Sequence, residues 1–324
     1  MRMKNWHWVT IIVGVLVLGL AAWLVFFRSS DGPWVSSAPS KSTDVVRIAS
    51  FNVEGLFDPE DDPRLSGAND DIPSSQAHLD AIAEAIRAID ADILALQDVE
   101  SLSALEWFNT TYLSSLGYTH IASLDVGHDR GVENAVLSRF PVTDARVWPK
   151  LRLGGTHPAT AGDAPNPMAG KPILFKRSPL MVEIDLPGKS SLTLFNIEHK
   201  GGNKYGYWRT AEAAAVARLC QAVGMNRRII VLGSFHCEPG DPSLQPYFDL
   251  GFIDPLADDD NAELYATEIT GDRTDFILAN RVVGGDLESA RAFILAGDLA
   301  ERIRAGDAET THLPVVIGLR LGAE

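Results

Sequence analysis

The chain has 324 residues, 46% of them hydrophobic and 22% charged, enough for one large globular domain or two small ones and unlike a disordered chain. Its formal net charge is -15; in the first 43 residues Arg2, Lys4, Arg28 and Lys41 outnumber Asp31 by three, which leaves -18 on the remainder. A surface that acidic disfavours duplex nucleic acid, whose nonspecific binders displace counterions with Lys and Arg.

In residues 8–27 the only polar side chain besides tryptophan is Thr10. As a helix this run reaches about 30 Å, the thickness of a bilayer's hydrocarbon core, and exceeds the roughly 7–15 residues of a cleaved signal's apolar region. It is expected to be an uncleaved transmembrane signal anchor. Arg2, Lys4 and the α-amino group precede it, whereas Arg28 and Asp31 nearly cancel after it. By the positive-inside rule residues 1–7 stay cytoplasmic and the rest is extracytoplasmic, periplasmic in a bacterium. Residues 28–43, rich in Ser with Pro33 and Pro39, read as a flexible linker to a domain spanning 44–324.

From Asp44 onward strands and helices alternate. A strand is predicted over 45–51. Leu79, Ile82, Ile86 and Ile89, spaced by three and four, mark one apolar face of a helix with Ser74 or Ser75 as its cap. A short buried strand follows at 93–96, with others at 135–138, 180–184, 192–195, 229–235, 276–278 and 315–319. A second helix is predicted over about 207–223, and the Gly- and Pro-containing stretch 153–171 reads as a long loop. Many strands with few helices suit two sheets packed face to face and covered by helices, an α/β (α+β) sandwich. Cys220 ends the second helix and Cys237 follows a strand of roughly 25 Å. A disulfide needs Cα atoms within about 7 Å, so two free thiols are expected.

Four segments lie at predicted strand ends: Ser50-Phe51-Asn52-Val53-Glu54-Gly55, Leu96-Gln97-Asp98-Val99-Glu100, Gly233-Ser234-Phe235-His236 and Thr310-Thr311-His312-Leu313-Pro314. Carboxylates, amides and imidazoles converging on one sheet edge can hold a divalent cation against a phosphate. Taken alone, Asn52 and Asp98 are as readily a turn residue and a helix cap, and His199 and His312 structural histidines. Glu100 and Glu198 read as solvated strand-end charges. So does the acidic loop with Asp58, Glu60, Asp61, Asp62, Asp70 and Asp71, which lacks calcium-ligand spacing.

In this order and spacing the segments resemble the endonuclease/exonuclease/phosphatase superfamily over about residues 44–320. Supporting matches are the 134–142 segment, Arg177-Ser178-Pro179-Leu180, the 195–200 segment with His199, and Arg273-Thr274-Asp275-Phe276-Ile277-Leu278. The resemblance implies a four-layered β-sandwich with flanking helices and a metal-dependent phosphoesterase. It implies Asn52 on phosphate and metal, Glu54 and Asp98 as metal ligands, and catalytic roles for His199, Ser234, His236, Asp275 and His312. The implied metal is Mg²⁺ or Mn²⁺. Convergence of His199, His236 and His312 would instead suit Zn²⁺.

The chain departs from the family pattern at three positions. Ser234 and His236 stand where Gly-Asp-Phe-Asn has its Asp and Asn, and Thr311 replaces a carboxylate. A positioned base contributes about 10²–10⁴-fold, so an attenuated enzyme is expected. The alternative is a catalytically inactive member that binds phosphate or a protein. The substrate implied is a phosphate ester: a lipid headgroup, a nucleotide or another small diester.

Overall fold

Alternation within single strands divides this molecule into layers. The computed structural model describes residues 33–61, 72–257, 265–288 and 292–321, and all of these but Pro33 belong to one compact unit, Trp34–Glu324. In the strand Arg228–Ser234, Ile230 and Leu232 join one apolar cluster while Ile229 and Val231 join a second. Successive strand side chains point to opposite faces, so both faces of this sheet are covered.

The strands in chain order are β1 (Trp34–Val35), β2 (Val45–Leu56), β3 (Ile93–Val99), β4 (His120–Ser123), β5 (Glu133–Ser138), β6 (Val142–Arg146), β7 (Arg152–Thr156), β8 (Thr160–Ala161), β9 (Ala164–Pro165), β10 (Pro172–Leu174), β11 (Leu180–Ile184), β12 (Leu192–Glu198), β13 (Arg228–Ser234), β14 (Asp275–Ala279), β15 (Phe293–Leu295) and β16 (Val315–Arg320). A seven-stranded sheet has the order β1-β15-β16-β2-β3-β5-β4 and a five-stranded sheet the order β14-β13-β12-β11-β6. Both are mixed: β2 with β3 and β12 with β13 run parallel, whereas β16 with β2 and β13 with β14 run antiparallel.

Three helices illustrate the covering. Ser75 caps α1 (Gln76–Ile89), accepting from the His78 amide at 3.3 Å, and Leu79, Ile82, Ile86 and Ile89 are buried as their spacing predicts. Ser101 caps α2 (Leu102–Tyr112) in the same way, and both helices feed the cluster that includes the interior between the sheets. The helix α3 (Gly206–Val223) contributes Trp208, Ala213, Val216 and Cys220 to the second cluster, on the outer face of the five-stranded sheet. The expected helix-covered sandwich is therefore present. Both cysteines are free and buried.

Two expectations need correction. The linker does not extend to residue 43. Trp34–Val35 pairs with β15, the Trp34 indole N–H donates to the Ala266 carbonyl at 2.7 Å, and the Lys41 ammonium meets Asp92 at 2.8 Å. Serine and proline density gave no sign of these nonlocal partners. The 153–171 stretch is not a bare loop either, since β7 pairs with β10 and β8 with β9. Gly162, at φ 57°, turns the chain between β8 and β9, whereas Gly154, Gly155 and Pro165 lie within the short strands themselves. Residues 8–27 lie outside the described residues, among which no helix is long and apolar enough to cross a membrane.

Gly233 shows why the Gly-Ser-Phe-His segment opens on glycine. Its φ is 132°, and a Cβ there would lie 1.9 Å from the Ile197 carbonyl oxygen of β12. The two parallel backbones approach too closely for any side chain. Gly233→Ala should therefore cost about 2–4 kcal/mol, from strained backbone plus overpacking. The check is a lower denaturant midpoint at unchanged m-value.

Candidate active site

Strand direction assembles the site. The parallel pairs β2/β3 and β12/β13 bring four C-terminal ends to one edge of the sandwich, carrying Asn52 and Glu54, Asp98, Glu198 and Ser234. The antiparallel strands β14 and β16 begin where those strands end. They supply Asp275, the first residue of β14, and His312, which lies just before β16. Six chain segments remote in sequence thus meet because of sheet topology.

A hydrogen-bonded chain runs through the centre. The Asn52 side-chain amide donates to Ser234 Oγ at 2.9 Å, Ser234 Oγ donates to Asp275 Oδ1 at 2.5 Å, and Asp275 Oδ2 meets His312 Nδ1 at 2.7 Å. All four residues are buried. Thr267 Oγ1 accepts from the amides of Thr274 and Asp275, each at 3.0 Å, and fixes the start of β14. Thr310 Oγ1 donates to the Asn52 carbonyl at 2.9 Å and ties the His312 segment to β2.

Around this chain stand the charged groups. Glu54 Oε2 accepts from the Thr311 amide at 2.5 Å, while its Oε1 lies 3.9 Å from His312 Nε2. Asp98 Oδ1 lies 2.8 Å from a terminal guanidinium nitrogen of Arg177, and Arg177 also contacts Glu198. His236 Nε2 is 3.5 Å from Glu198 Oε1, and its ring centroid lies 6.4 Å from that of His312. The site therefore holds two imidazole–carboxylate pairs, His312 with Asp275 and His236 with Glu198.

Glu54, Asp98 and His236 have φ of 51°, 62° and 51°. Side chains in this left-handed region cost on the order of 1–3 kcal/mol each and persist only where the surroundings fix them. At Glu54 the fixing contact is visible: its amide donates to Asn52 Oδ1 at 2.9 Å, a turn closed by the side chain two residues back.

The two imidazoles have opposite protonation. Burial opposes charge on His312, but the Asp275 carboxylate and its hydrogen bond outweigh it and push His312 up to about 9. Asp275 is held below the ordinary carboxylate range despite its burial, by His312 and by hydrogen bonds from His312 and Ser234. Burial first, then the neighbouring His312 charge, pushes His236 down to about 4. At neutral pH one imidazole is a cation and the other a free base. Titratable neighbours driven apart in this way suit acid and base roles.

Of the predicted site residues, Asn52, Glu54, Asp98, Ser234, His236, Asp275 and His312 are brought together, and His199 is not. The His199 ring stacks edge-on against Phe235 and meets the Tyr247 hydroxyl at 3.0 Å and Glu212 at 3.5 Å. It is a buried structural histidine on the β12–α3 side. The three imidazoles therefore do not form a zinc cluster, and among the described residues no three His, Cys, Asp or Glu side chains form a ready metal cage. Asp98 and Glu54 still fit a hard cation that takes one or two carboxylates and keeps several waters. Buried Asp98 Oδ1 has no well-directed hydrogen bond.

The sequence pattern assigns Arg177 no role and reads Glu198 and Glu100 as solvated charges. Arg177 and Glu198 form a largely buried ion pair, and Glu100 is buried and accepts from the Asp58 amide at 3.0 Å. The available signal was the Arg-Ser-Pro-Leu match, which places a cation at the start of β11. Asp62, Asp70 and Asp71 lie outside the described residues.

Residues 49–299 match the Endonuclease/Exonuclease/phosphatase family. Among solved structures, an endonuclease/exonuclease/phosphatase from Beutenbergia cavernae is 18% identical, with TM-score 0.56, over 86% of this chain and 72% of its own. The human Nocturnin catalytic domain, solved with bound sulfate, is 16% identical, with TM-score 0.53, over 86% of this chain and 95% of its own. A Neisseria 3′ phosphatase bound to product DNA hairpin is 17% identical, with TM-score 0.52, over 85% of this chain and 99% of its own. No curated protein matches the sequence. At these identities the likeness to solved structures shows a shared fold.

The opposed imidazoles give a titration with a definite sign. His312 is raised above an unfolded value of about 6.5, so its pairing with Asp275 stabilises the fold fully below about 6.5 and fades as pH rises through about 9. His236 is lowered, so its contribution is present above about 6.5 and fades as pH falls through about 4. NMR titration of the ring protons should find His312 still protonated at pH 8 in the wild type. In Asp275→Asn it should be largely neutral there.

Proposed function

The chain belongs to the Endonuclease/Exonuclease/phosphatase family, and from that premise we propose that it is an attenuated, divalent-cation-dependent phosphoesterase with a rebuilt water-activating position. Members of this family hydrolyse phosphate esters and typically depend on a divalent metal. The observation that carries the reading is the Asn52–Ser234–Asp275–His312 hydrogen-bonded chain, which survives the loss of the family's carboxylate at position 234.

Glu54 and Asp98 would hold the cation, Mg²⁺ or Mn²⁺ by the hardness of their oxygens, with waters completing its shell. Bound there, it would neutralise phosphate charge and acidify water. Arg177, fixed against Asp98, adds positive charge beside the carboxylates. Asp275 fixes the His312 ring through Nδ1 and leaves Nε2 to donate to a phosphoryl oxygen. Ser234 is spent on Asn52 and Asp275, so the proton of the attacking water goes to His236, oriented by Glu198. A base with so low an affinity for protons is a weak one, which accounts for attenuation.

The substrate class is a phosphate ester: a lipid headgroup, a nucleotide or another small diester. Net charge of -15 disfavours duplex nucleic acid. Residues 8–27 would anchor the protein with its domain on the extracytoplasmic face, a reading supported by their length and flanking charge.

Hydrolysis of a simple phosphodiester and a simple phosphomonoester with Mg²⁺ or Mn²⁺ provides the test. His236→Ala should lower the rate by about 10²-fold or more, as loss of a positioned base does. His312→Ala should be comparably damaging, because the groups act as a unit. If Ser234→Asp with His236→Asn instead raises the rate at least about tenfold, the scaffold is catalytic but His236 is not its base. A folded protein that binds phosphate yet is inactive in every variant would make it a binding module. For the anchor, protease added outside spheroplasts should degrade the domain, and protection until permeabilisation would reverse the orientation.

A further inference from the structure

Lys176, Lys200 and Lys204 cluster beside the site although the chain is strongly acidic overall. Buried Glu212 of α3 frames the cluster. Its Oε1 accepts from the Lys176 amide and its Oε2 from the Lys200 amide, both at 2.7 Å. The segments that follow β10 and β12 are thereby clamped side by side. Both border the site: Lys176 precedes Arg177, which pairs with Asp98, and Lys200 precedes Gly201, where a Cβ would lie 3.6 Å from the His236 ring. Arg209 tightens the second segment by donating to the Lys200 and Gly202 carbonyls at 3.2 and 2.9 Å.

On this frame two ammonium groups share one aromatic ring. Lys200 Nζ lies 4.2 Å and Lys204 Nζ 5.3 Å from the centroid of Tyr205. Lys176 is paired with Asp129 at 2.5 Å, whereas among the described residues neither Lys200 nor Lys204 has a carboxylate within ion-pair distance. Lys200 Nζ donates to the Gly201 carbonyl at 2.8 Å, and Glu212, the carboxylate whose charge acts on Lys200, is occupied by two backbone amides and by His199 at 3.5 Å. Burial and the neighbouring cations hold Lys200 below the usual lysine range. Packing like charges without counterions is costly, and a bound anion would relieve it.

We propose that Lys200 and Lys204 form a second anion subsite beside the site, so that the preferred substrate carries a further phosphoryl group beside the one attacked. This deepens, and rests on, the phosphoesterase reading of the same site. Compact ammonium groups on flexible stems suit a point-charge contact to phosphate oxygens at varied distance. The shared chemistry is a diphosphate or a bisphosphorylated headgroup.

The test is calorimetric binding of inorganic pyrophosphate and inorganic phosphate at fixed ionic strength with Mg²⁺. The wild-type protein should prefer pyrophosphate by at least about tenfold, the factor that one charge-assisted hydrogen bond supplies. In Lys200→Gln/Lys204→Gln the preference should collapse to within about threefold of unity. Lys200→Arg/Lys204→Arg, which keeps both charges, should retain most of it. Equal affinities in the wild type, or a preference that survives in the Gln pair, would overturn the subsite and leave the phosphoesterase reading intact. Binding of neither anion would overturn both. With the preference established, competition by a nucleoside diphosphate and by vesicles bearing a bisphosphorylated lipid headgroup identifies the source of the second phosphate by which displaces pyrophosphate.

Discussion

A single asparagine holds the two sheets in register beneath the site. Asn196 lies on β12 of the five-stranded sheet, yet its amide nitrogen donates to the Leu96 carbonyl of β3 at 2.8 Å and the Ala135 carbonyl of β5 at 2.9 Å. Its oxygen accepts from Gln97 Nε2 at 2.7 Å. Asn134 reinforces the crossing by donating to the Ser178 and Asn196 carbonyls. In an apolar interior these bonds are directional where packing is not, and a sliding sheet would leave each group unsatisfied. The last residues of β3, β12 and β13 therefore stand in fixed relation. The contact between Arg177 and Asp98 and the chain from Asn52 to His312 both depend on that alignment.

Ser234 explains how the centre survives a substitution that removes a carboxylate. Its hydroxyl donates to Asp275 and accepts from Asn52 at once. A carboxylate in its place can satisfy Asn52, but at 2.5 Å from Asp275 it would face a like charge unless a proton or cation intervened. The serine thus preserves the geometry that keeps His312 protonated without supplying a carboxylate of its own. The two properties are separable, which is why an altered motif still yields an assembled site.

What could be read from the sequence followed its locality. Strand ends, the face of α1 and its Ser75 cap are written in short spacings, the placement of Asn52, Asp98, Ser234 and His312 follows from the order of four short motifs, and that of Asp275 from the Arg273–Leu278 segment. Partners joined across long sequence separations were not legible. Arg177 finds Asp98 only because the sandwich packs the five-stranded sheet, through β12, on β3, and Glu198 reads as a surface charge until Arg177 is placed against it. His199 is the converse: its motif matches the family's, while Phe235, Tyr247 and Glu212 hold the ring in the second core. The docking of Trp34 on β15 depends on a carbonyl more than two hundred residues away.

That docking has a mechanical meaning. The indole of Trp34 grips the carbonyl of Ala266, the neighbour of Thr267, whose hydroxyl receives the amides of Thr274 and Asp275. The N-terminal end of the domain and the carboxylate that holds His312 are consequently linked in series through a few hydrogen bonds. Against this stand only two parallel residue pairs between β1 and β15. Tension on the N-terminus would be borne by this short clasp before it reached the sandwich, with the Asp275 carboxylate one residue contact behind it.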